Sequence, residues 1–179
     1  SGGLVNCEAQ SSTAKKGLKS AGTVQESTEL FTTSFTNIYS IGVNDYIGGS
    51  LDGESLQSVR VLETADDSVD ALIGINGIKG TPEPLILFGN SFESAVLKEF
   101  QEVNLGDMLW AIDESPEPPS TFISVPVISI DIFNKQPEDP QFNIKRIFLD
   151  FSEGAGGAIF AKDELGRAIA LGKVWTSNP

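Results

Sequence analysis

Short apolar segments, separated by loops rich in glycine and proline, are the feature that most limits what this chain can fold into. The clearest of them cover residues 69–75, 85–88, 108–112, 122–132 and 168–174. Segments of this length are typical of β-strands, and no alternation of strand and helix patterns points to a parallel sheet. The sequence therefore predicts a mainly β chain that folds as an antiparallel β-sandwich, of jelly-roll or Ig-like type, with at most one or two short helices.

Two segments carry mixed signals. Between residues 29 and 47 the apolar residues fall at helical spacing, but threonines and aromatic residues favour a strand, which is the prediction we adopt. Residues 93–103 are the best helix candidate, since Val96, Phe100 and Val103 align on one helical face. A strand stays open there because polar and apolar residues also alternate in part.

The C-terminal part of the chain has the most regular pattern. Residues 158–161 and 168–174 are predicted to form a hairpin, with Gly166 available for a positive φ in the turn. Residues 142–152, a glycine turn and residues 158–165 resemble the closing strands of galactose-binding-like jelly rolls, a group that includes carbohydrate-binding modules. The resemblance places at Asp163 the acidic residue that such hairpins often carry. No internal repeat is visible in the sequence.

The N-terminal residues differ from the rest in composition. Residues 1–28 are small and polar, so we predict an N-terminal arm or peripheral segment, followed by a single β-sandwich domain over residues 29–179. The arm holds Cys7, the single cysteine, which has no second cysteine for an internal disulfide.

The residue types present exclude several kinds of catalysis. The chain has no histidine and one cysteine, which excludes Ser-His-Asp and Cys-His mechanisms and zinc sites built from histidine or several thiolates. Ser20 has the local spacing of a Ser-Lys dyad with Lys16 or Lys19, but the polar segment around it offers little apolar support for such a site. We therefore predict that the chain is not an enzyme.

An acidic, glycine-rich stretch is the best candidate for a metal site. Calcium takes about six to eight oxygen ligands from carboxylates, amides and carbonyls. Side-chain oxygens of this kind come from Asn44, Asp45, Asp52 and Glu54. Their spacing differs from that of an EF-hand loop. The prediction is therefore no cofactor, with a structural calcium at this stretch as the alternative to a solvated turn.

Charge is distributed unevenly along the chain. The net charge is −13, and residues 61–134 contain 13 acidic residues against two lysines. This acidity argues against nucleic acid, because that affinity depends on Lys and Arg contacts with phosphate. The longest nearly apolar stretch, residues 122–130, is too short to span a membrane. The C-terminal part is more basic, and we predict partner-binding residues there: Lys145, Arg146, Arg167 and Trp175.

Together these observations predict a non-enzymatic structural or surface-assembly subunit, of the capsid, tail or pilus type. It would self-associate as a homo-oligomer, through contacts between acidic and basic faces and through the N-terminal arm. The alternative is an extracellular module that binds carbohydrate or another ligand and holds a structural calcium. Either function predicts an extracellular, cell-surface or virion location.

Overall fold

Seventeen β-strands account for most of the part of the chain that the computed structural model describes. That part is residues 3–4, 8–9, 18–25, 29–31, 34–50, 56–82, 85–89, 95–113, 121–150 and 158–172. The first nine strands are β1 Gly3–Leu4, β2 Glu8–Ala9, β3 Leu18–Gln25, β4 Glu29–Phe31, β5 Phe35–Asn37, β6 Tyr46–Ser50, β7 Gln57–Val69, β8 Ala71–Ile75 and β9 Ile78–Gly80. The other eight are β10 Leu85–Phe88, β11 Val96–Glu99, β12 Met108–Asp113, β13 Thr121–Pro126, β14 Ile130–Asn134, β15 Phe142–Asp150, β16 Ala158–Lys162 and β17 Ala168–Gly172.

Helical structure in the described residues is limited to two 3-10 turns, Ile38–Ser40 and Phe100–Glu102. All of the strand pairs except β1–β15 are antiparallel. The predicted mainly β, antiparallel class with almost no helix is therefore confirmed.

The strands form two sheets that share β7. Residues Gln57–Arg60 of this long strand pair with β6 in one sheet, whereas its remaining residues, from Val61, pair with β15 in the other. The first sheet runs β14-β8-β9-β3-β15-β7, and the second runs β7-β6-β16-β17-β12-β13. The predicted jelly-roll or Ig-like sandwich is not confirmed, since one strand passes from sheet to sheet.

Three local predictions are resolved or corrected by the structure. Residues 93–103 were open to a helix or a strand, and the described residues have the strand: Val96–Glu99 form β11, which pairs with β10, and Phe100 and Val103 are buried through the 3-10 turn that follows. The strand predicted over residues 122–132 is two strands, interrupted at residues 127–129. The segment 29–47 contains the strands β4 and β5, as its threonines indicated, but also the first 3-10 turn.

A characteristic turn follows the first 3-10 turn. After Ile38–Ser40, the carboxylate of Asp45 accepts a hydrogen bond from the Gly42 N–H at 2.8 Å. Asn44 has a φ of 72°, and its N–H donates to the Val61 carbonyl at 2.8 Å. The Val61 N–H donates in return to the Asp45 carbonyl at 2.8 Å. The turn is thereby fixed to the centre of β7.

The same turn occurs again after the second 3-10 turn. The carboxylate of Asp107 accepts from the Asn104 N–H at 2.9 Å, and Gly106 has a φ of 88°. The Gly106 N–H donates to the Val127 carbonyl at 3.1 Å, and the Val127 N–H donates to the Asp107 carbonyl at 2.8 Å. The expectation of no internal repeat is wrong at the level of the backbone: the elements β4 to β7 are matched by β10 to β13.

The C-terminal hairpin β16–β17 completes both copies. Leu30 of β4 pairs with Ala161 of β16, and Ile86 of β10 pairs with Leu171 of β17. Leu30 and Ile86 are both fully buried. β6 likewise pairs with β16, and β12 with β17. Strand β16 therefore pairs with the copy formed by β4 to β7, and strand β17 pairs with the copy formed by β10 to β13. The two copies thus pair with different strands of one hairpin.

The main hydrophobic core contains residues from both sheets. Ile75 and Ile147 come from the first sheet, and Ile159 and Ile169 come from the hairpin in the second. All four are fully buried. Each such side chain stabilises the fold by about 1.5–3 kcal/mol relative to an exposed one. The core therefore fixes the hairpin against the first sheet.

Candidate functional site

The N-terminal segments contribute strands to the first sheet. β1 pairs with β3 and, in parallel, with β15, and β2 pairs with β3. In this register Ser20 lies opposite Glu8, and Lys19 lies opposite Ala9. Cys7 and Lys16, the other nucleophilic and basic groups that sequence analysis singled out, lie outside the described residues. The division into an arm over residues 1–28 and a domain over 29–179 stays a prediction.

Two charged residues lie beside this N-terminal region. Leu18 at the start of β3 pairs with Asp150 at the end of β15. The Asp150 carboxylate forms an ion pair with Arg60 at 3.5 Å, and each side chain is a little less than half exposed. The backbone register therefore brings the strand that carries Lys19 and Ser20 next to an accessible carboxylate and an accessible guanidinium.

A second polar cluster is centred on Asn76, which is fully buried. Its side-chain oxygen accepts hydrogen bonds from Ile128 N–H at 2.8 Å and Ser129 N–H at 3.2 Å, and its side-chain nitrogen donates to the Pro126 carbonyl at 3.0 Å. Its own carbonyl accepts from the Glu164 N–H at 2.8 Å. These bonds end β13, start β14 and attach both to the turn of the C-terminal hairpin.

Asp163 organises that hairpin turn from inside. Its buried carboxylate accepts from the backbone N–H groups of Leu165 and Arg167, at 3.0 and 2.7 Å, and from Arg167 Nε at 3.0 Å. Gly166 has a φ of 83°, as the predicted hairpin requires. Arg167 is predicted to bind a partner, but its guanidinium forms an ion pair with Asp163 within the turn. Asp163 therefore stabilises the turn.

The other predicted partner-binding residues are Lys145, Arg146 and Trp175, and the first two differ in solvent exposure. Lys145 is buried, and its amine donates to the carbonyls of Tyr39 at 3.1 Å and Ile41 at 2.7 Å, which fixes the first 3-10 turn to β15. Arg146, the next residue, is exposed. Trp175 lies outside the described residues. Lys145 and Arg146 therefore do not share one exposed surface, and the partner-binding role of the four residues stays a prediction.

The Lys98–Asp107 pair is a partly buried interaction that sequence analysis missed. Lys98 Nζ lies 2.6 Å from an Asp107 carboxylate oxygen, which also accepts from the Asn104 N–H. Burial raises the pKa of the Asp107 carboxyl, but the Lys98 hydrogen bond, the Asn104 N–H and the Lys98 charge outweigh it, so the pKa lies below its usual value. The pair attaches β11 to the second of the repeated turns.

The predicted calcium ligands are only partly described. Asn44 and Asp45 lie in the first repeated turn, where the Asp45 carboxylate accepts a hydrogen bond from the Gly42 N–H. Asp52 and Glu54 lie outside the described residues. Across the residues that are described, no group of three or more His, Cys, Asp or Glu side chains is arranged to hold a metal ion. The calcium site stays a prediction, as does the location of the protein.

Neither helical turn in the described residues has the length or apolar character of a membrane-spanning helix.

The fold is similar to solved structures of inteins. A bacterial intein-like domain from Clostridium thermocellum superposes with a TM-score of 0.63 at 16% identity, over 83% of this chain and 97% of its own. The TvoVMA intein gives 0.63 at 15% identity, over 86% and 97%. An intein from a hyperthermophile gives 0.62 at 13% identity, over 85% and 100%. No family model matches the chain, and no curated protein matches it.

These neighbours overturn the function predicted from composition. The structures that share the fold are inteins, one of them a splice-inactive variant of a split intein, so a filament or virion subunit and a carbohydrate-binding module are both wrong. The predictions of a homo-oligomer and of no enzymatic activity are wrong for the same reason. The reason is physical. Missing histidine excludes imidazole catalysis, but other side chains can also act as nucleophiles and as general acids or bases.

Proposed function

We propose that this chain is an intein-like self-processing domain, which rearranges or breaks a peptide bond of its own polypeptide. The observation that carries the proposal is the fold: the likeness to inteins covers more than four fifths of this chain and nearly the whole of theirs. An intein-like fold takes the place of the jelly-roll or Ig-like sandwich. Activity of this kind belongs to those neighbours, and for this chain it is the hypothesis under test.

The nucleophile that fits best is Cys7, the single thiol of the chain. A thiolate is a strong nucleophile near neutral pH, stronger than an unactivated hydroxyl such as that of Ser20. Strands β1 and β2, on either side of Cys7 in the sequence, both pair with β3. The chain before and after the thiol is therefore attached to the same strand, which favours attack on a nearby carbonyl.

The reaction is an acyl shift at the bond between Asn6 and Cys7. The sulfur of Cys7 bonds to the Asn6 carbonyl carbon, the C–N bond breaks, and the thiol proton ends on the released Cys7 amine. The product is a thioester, which water or an added thiol cleaves. Proton transfer falls to other groups since the chain has no histidine. Glu8, Lys19 and Asp150 are among the titratable residues on the strands that pair in this part of the sheet.

Intact-mass spectrometry tests this proposal. The purified chain is incubated with excess small thiol, or with hydroxylamine, between pH 6 and about 8.5, where the thiolate fraction rises. We expect loss of the residues before Cys7, faster at the higher pH, and no loss in Cys7→Ala. Ser20→Ala is the matched control and is expected to react like the wild type. If the mass stays unchanged in every condition, or if Cys7→Ala reacts equally, the proposal is wrong.

A further inference from the structure

One edge of strand β14 has no strand partner among the described residues. Among the described residues it pairs with β8 alone, through five consecutive residue pairs from Ile130 to Asn134 without a shift in register. The opposite edge presents backbone N–H and C=O groups that no strand in the described part of the chain pairs with, and such groups form a template for another strand. Proteins commonly protect such edges with a proline, a lysine or a bulge. β14 has none of these three, and its one charged residue is the acidic Asp131.

The same strand exposes large apolar side chains. Ile132 is 70% exposed, and Ile128, just before the strand, is 49% exposed. Ile130 lies between them and is partly buried against the main core. In a strand, residues two apart lie on the same face. An added strand would therefore cover Ile132 with its own alternating apolar side chains, and burying an exposed isoleucine is favourable.

Hydrogen bonds attach β14 to neighbouring segments at both of its ends. The backbone N–H groups of Ile128 and Ser129 are held by the Asn76 side chain, and Lys135 N–H donates to the Asp70 carbonyl at 2.9 Å. Both ends of the strand are thus fixed before any partner arrives. A preformed edge lowers the entropy cost of binding an extended segment.

The charged residues around the β14 edge favour a basic partner. Asp131 lies within the strand and is exposed, and Glu164 accepts a hydrogen bond from Ser129 Oγ at 3.0 Å just before it. Three more exposed carboxylates lie near its end: Asp70, Glu138 and Asp139. Two lysines are nearby, of which Lys79 lies 4.5 Å from the Phe133 ring centre and Lys135 follows the strand. The balance is acidic, and a second copy of this chain, at net charge −13, is repelled.

We propose that β14 binds an extended, basic peptide segment with alternating apolar residues, which adds to the sheet as a strand. Main-chain hydrogen bonds provide affinity, alternate side chains pack on Ile132, and lysines of the segment meet Asp131 and its neighbours. This interaction does not depend on self-processing, and it is expected in a chain whose Cys7 has been replaced.

The test measures fluorescence anisotropy of a labelled, end-capped peptide of alternating lysine and valine, titrated with the full chain at low salt. We expect saturable binding, and binding at least about tenfold weaker for a glutamate–valine peptide. Ile132→Lys should weaken binding by about tenfold or more, which corresponds to about 1.4 kcal/mol. Val43→Lys, at a site that is 53% exposed in the first repeated turn, is the matched control and should bind like the wild type. Thermal melts confirm that both variants are folded.

Two further peptides separate strand addition from simple apolar contact. One is N-methylated at its odd amides and the other at its even amides, so only one of them loses the donors that face β14. We expect one peptide to lose binding and the other to keep it. Equal binding of both methylated peptides, an unchanged affinity of Ile132→Lys, or equal affinity of the acidic peptide would each overturn the proposal.

Discussion

Replacing Asn76 with alanine should be among the most destabilising single changes in the described part of this chain. The side chain is fully buried and makes three hydrogen bonds, to Pro126, Ile128 and Ser129. Alanine would leave two N–H groups and one carbonyl without that partner, at about 1–3 kcal/mol for each group that stays buried. The φ of 48° at residue 76 adds about 1 kcal/mol, because alanine adopts this left-handed conformation less readily than asparagine.

We expect a loss of about 3–5 kcal/mol, less than the simple sum because the three bonds share one side chain. Urea unfolding measures it as a fall in the midpoint at unchanged slope, and a stability of about 5–15 kcal/mol leaves room to observe it. Asn76→Gly keeps the backbone conformation but loses the same hydrogen bonds. It should be nearly as destabilising, which separates the bonds from the strain.

Asn44 is the matched control, since its φ of 72° is also positive but it is exposed, and its side chain makes no hydrogen bond within the described residues. Asn44→Ala should cost about 1 kcal/mol from the backbone conformation. If Asn76→Ala costs no more than Asn44→Ala, the buried amide does not hold the three segments together, and the reasoning is wrong.

Two other predictions concern the turns. Because the pKa of Asp107 is lowered on folding, its stabilising effect is complete above the ordinary carboxyl pKa of about 3.9 and is lost as the pH falls through the lower folded value. Asp107→Asn should therefore lose about 1 kcal/mol at pH 7 and show a smaller fall in stability on acidification; an equal fall in both proteins would contradict the role of the Lys98 pair. Gly77→Ala should destabilise by more than Gly166→Ala, because a Cβ at Gly77 would lie 2.8 Å from Glu164 Cβ whereas nothing lies within 4 Å at Gly166. Both have φ near 85°, so equal losses in chemical denaturation would show that the close contact relaxes at no cost.

Local signals in the sequence predicted the local structure well. Gly166 between two apolar runs indicated the C-terminal hairpin, and the prolines before residue 85 indicated a strand start. The structure has both. Residues 93–103 left helix and strand both open, because the helical alignment of Val96, Phe100 and Val103 arises from a strand followed by a 3-10 turn. Short segments of this kind match both the helical period of 3.6 residues and the strand period of two residues.

Contacts between residues far apart in the sequence could not be predicted from the local sequence pattern. Asn76 precedes Gly77, a dipeptide that indicates a tight turn, but its side-chain partners lie 50 or more residues away in sequence. The internal duplication lies mainly in backbone hydrogen bonds: Asp45 matches Asp107 and Val61 matches Val127, but other equivalent positions differ, as at Asn44 and Gly106. Composition gave acidity and the lack of histidine, which limit mechanisms but do not specify a fold.

The most direct test of an intein-like function is to place the whole chain between two stable reporter proteins and follow the fusion after synthesis. Denaturing electrophoresis and intact mass then identify every product, with a Cys7→Ala fusion prepared in parallel. The account predicts products shorter than the full fusion, cut at the bond before Cys7, that are absent in the variant. A wild-type fusion that stays at full mass across thiol concentrations and pH would contradict it.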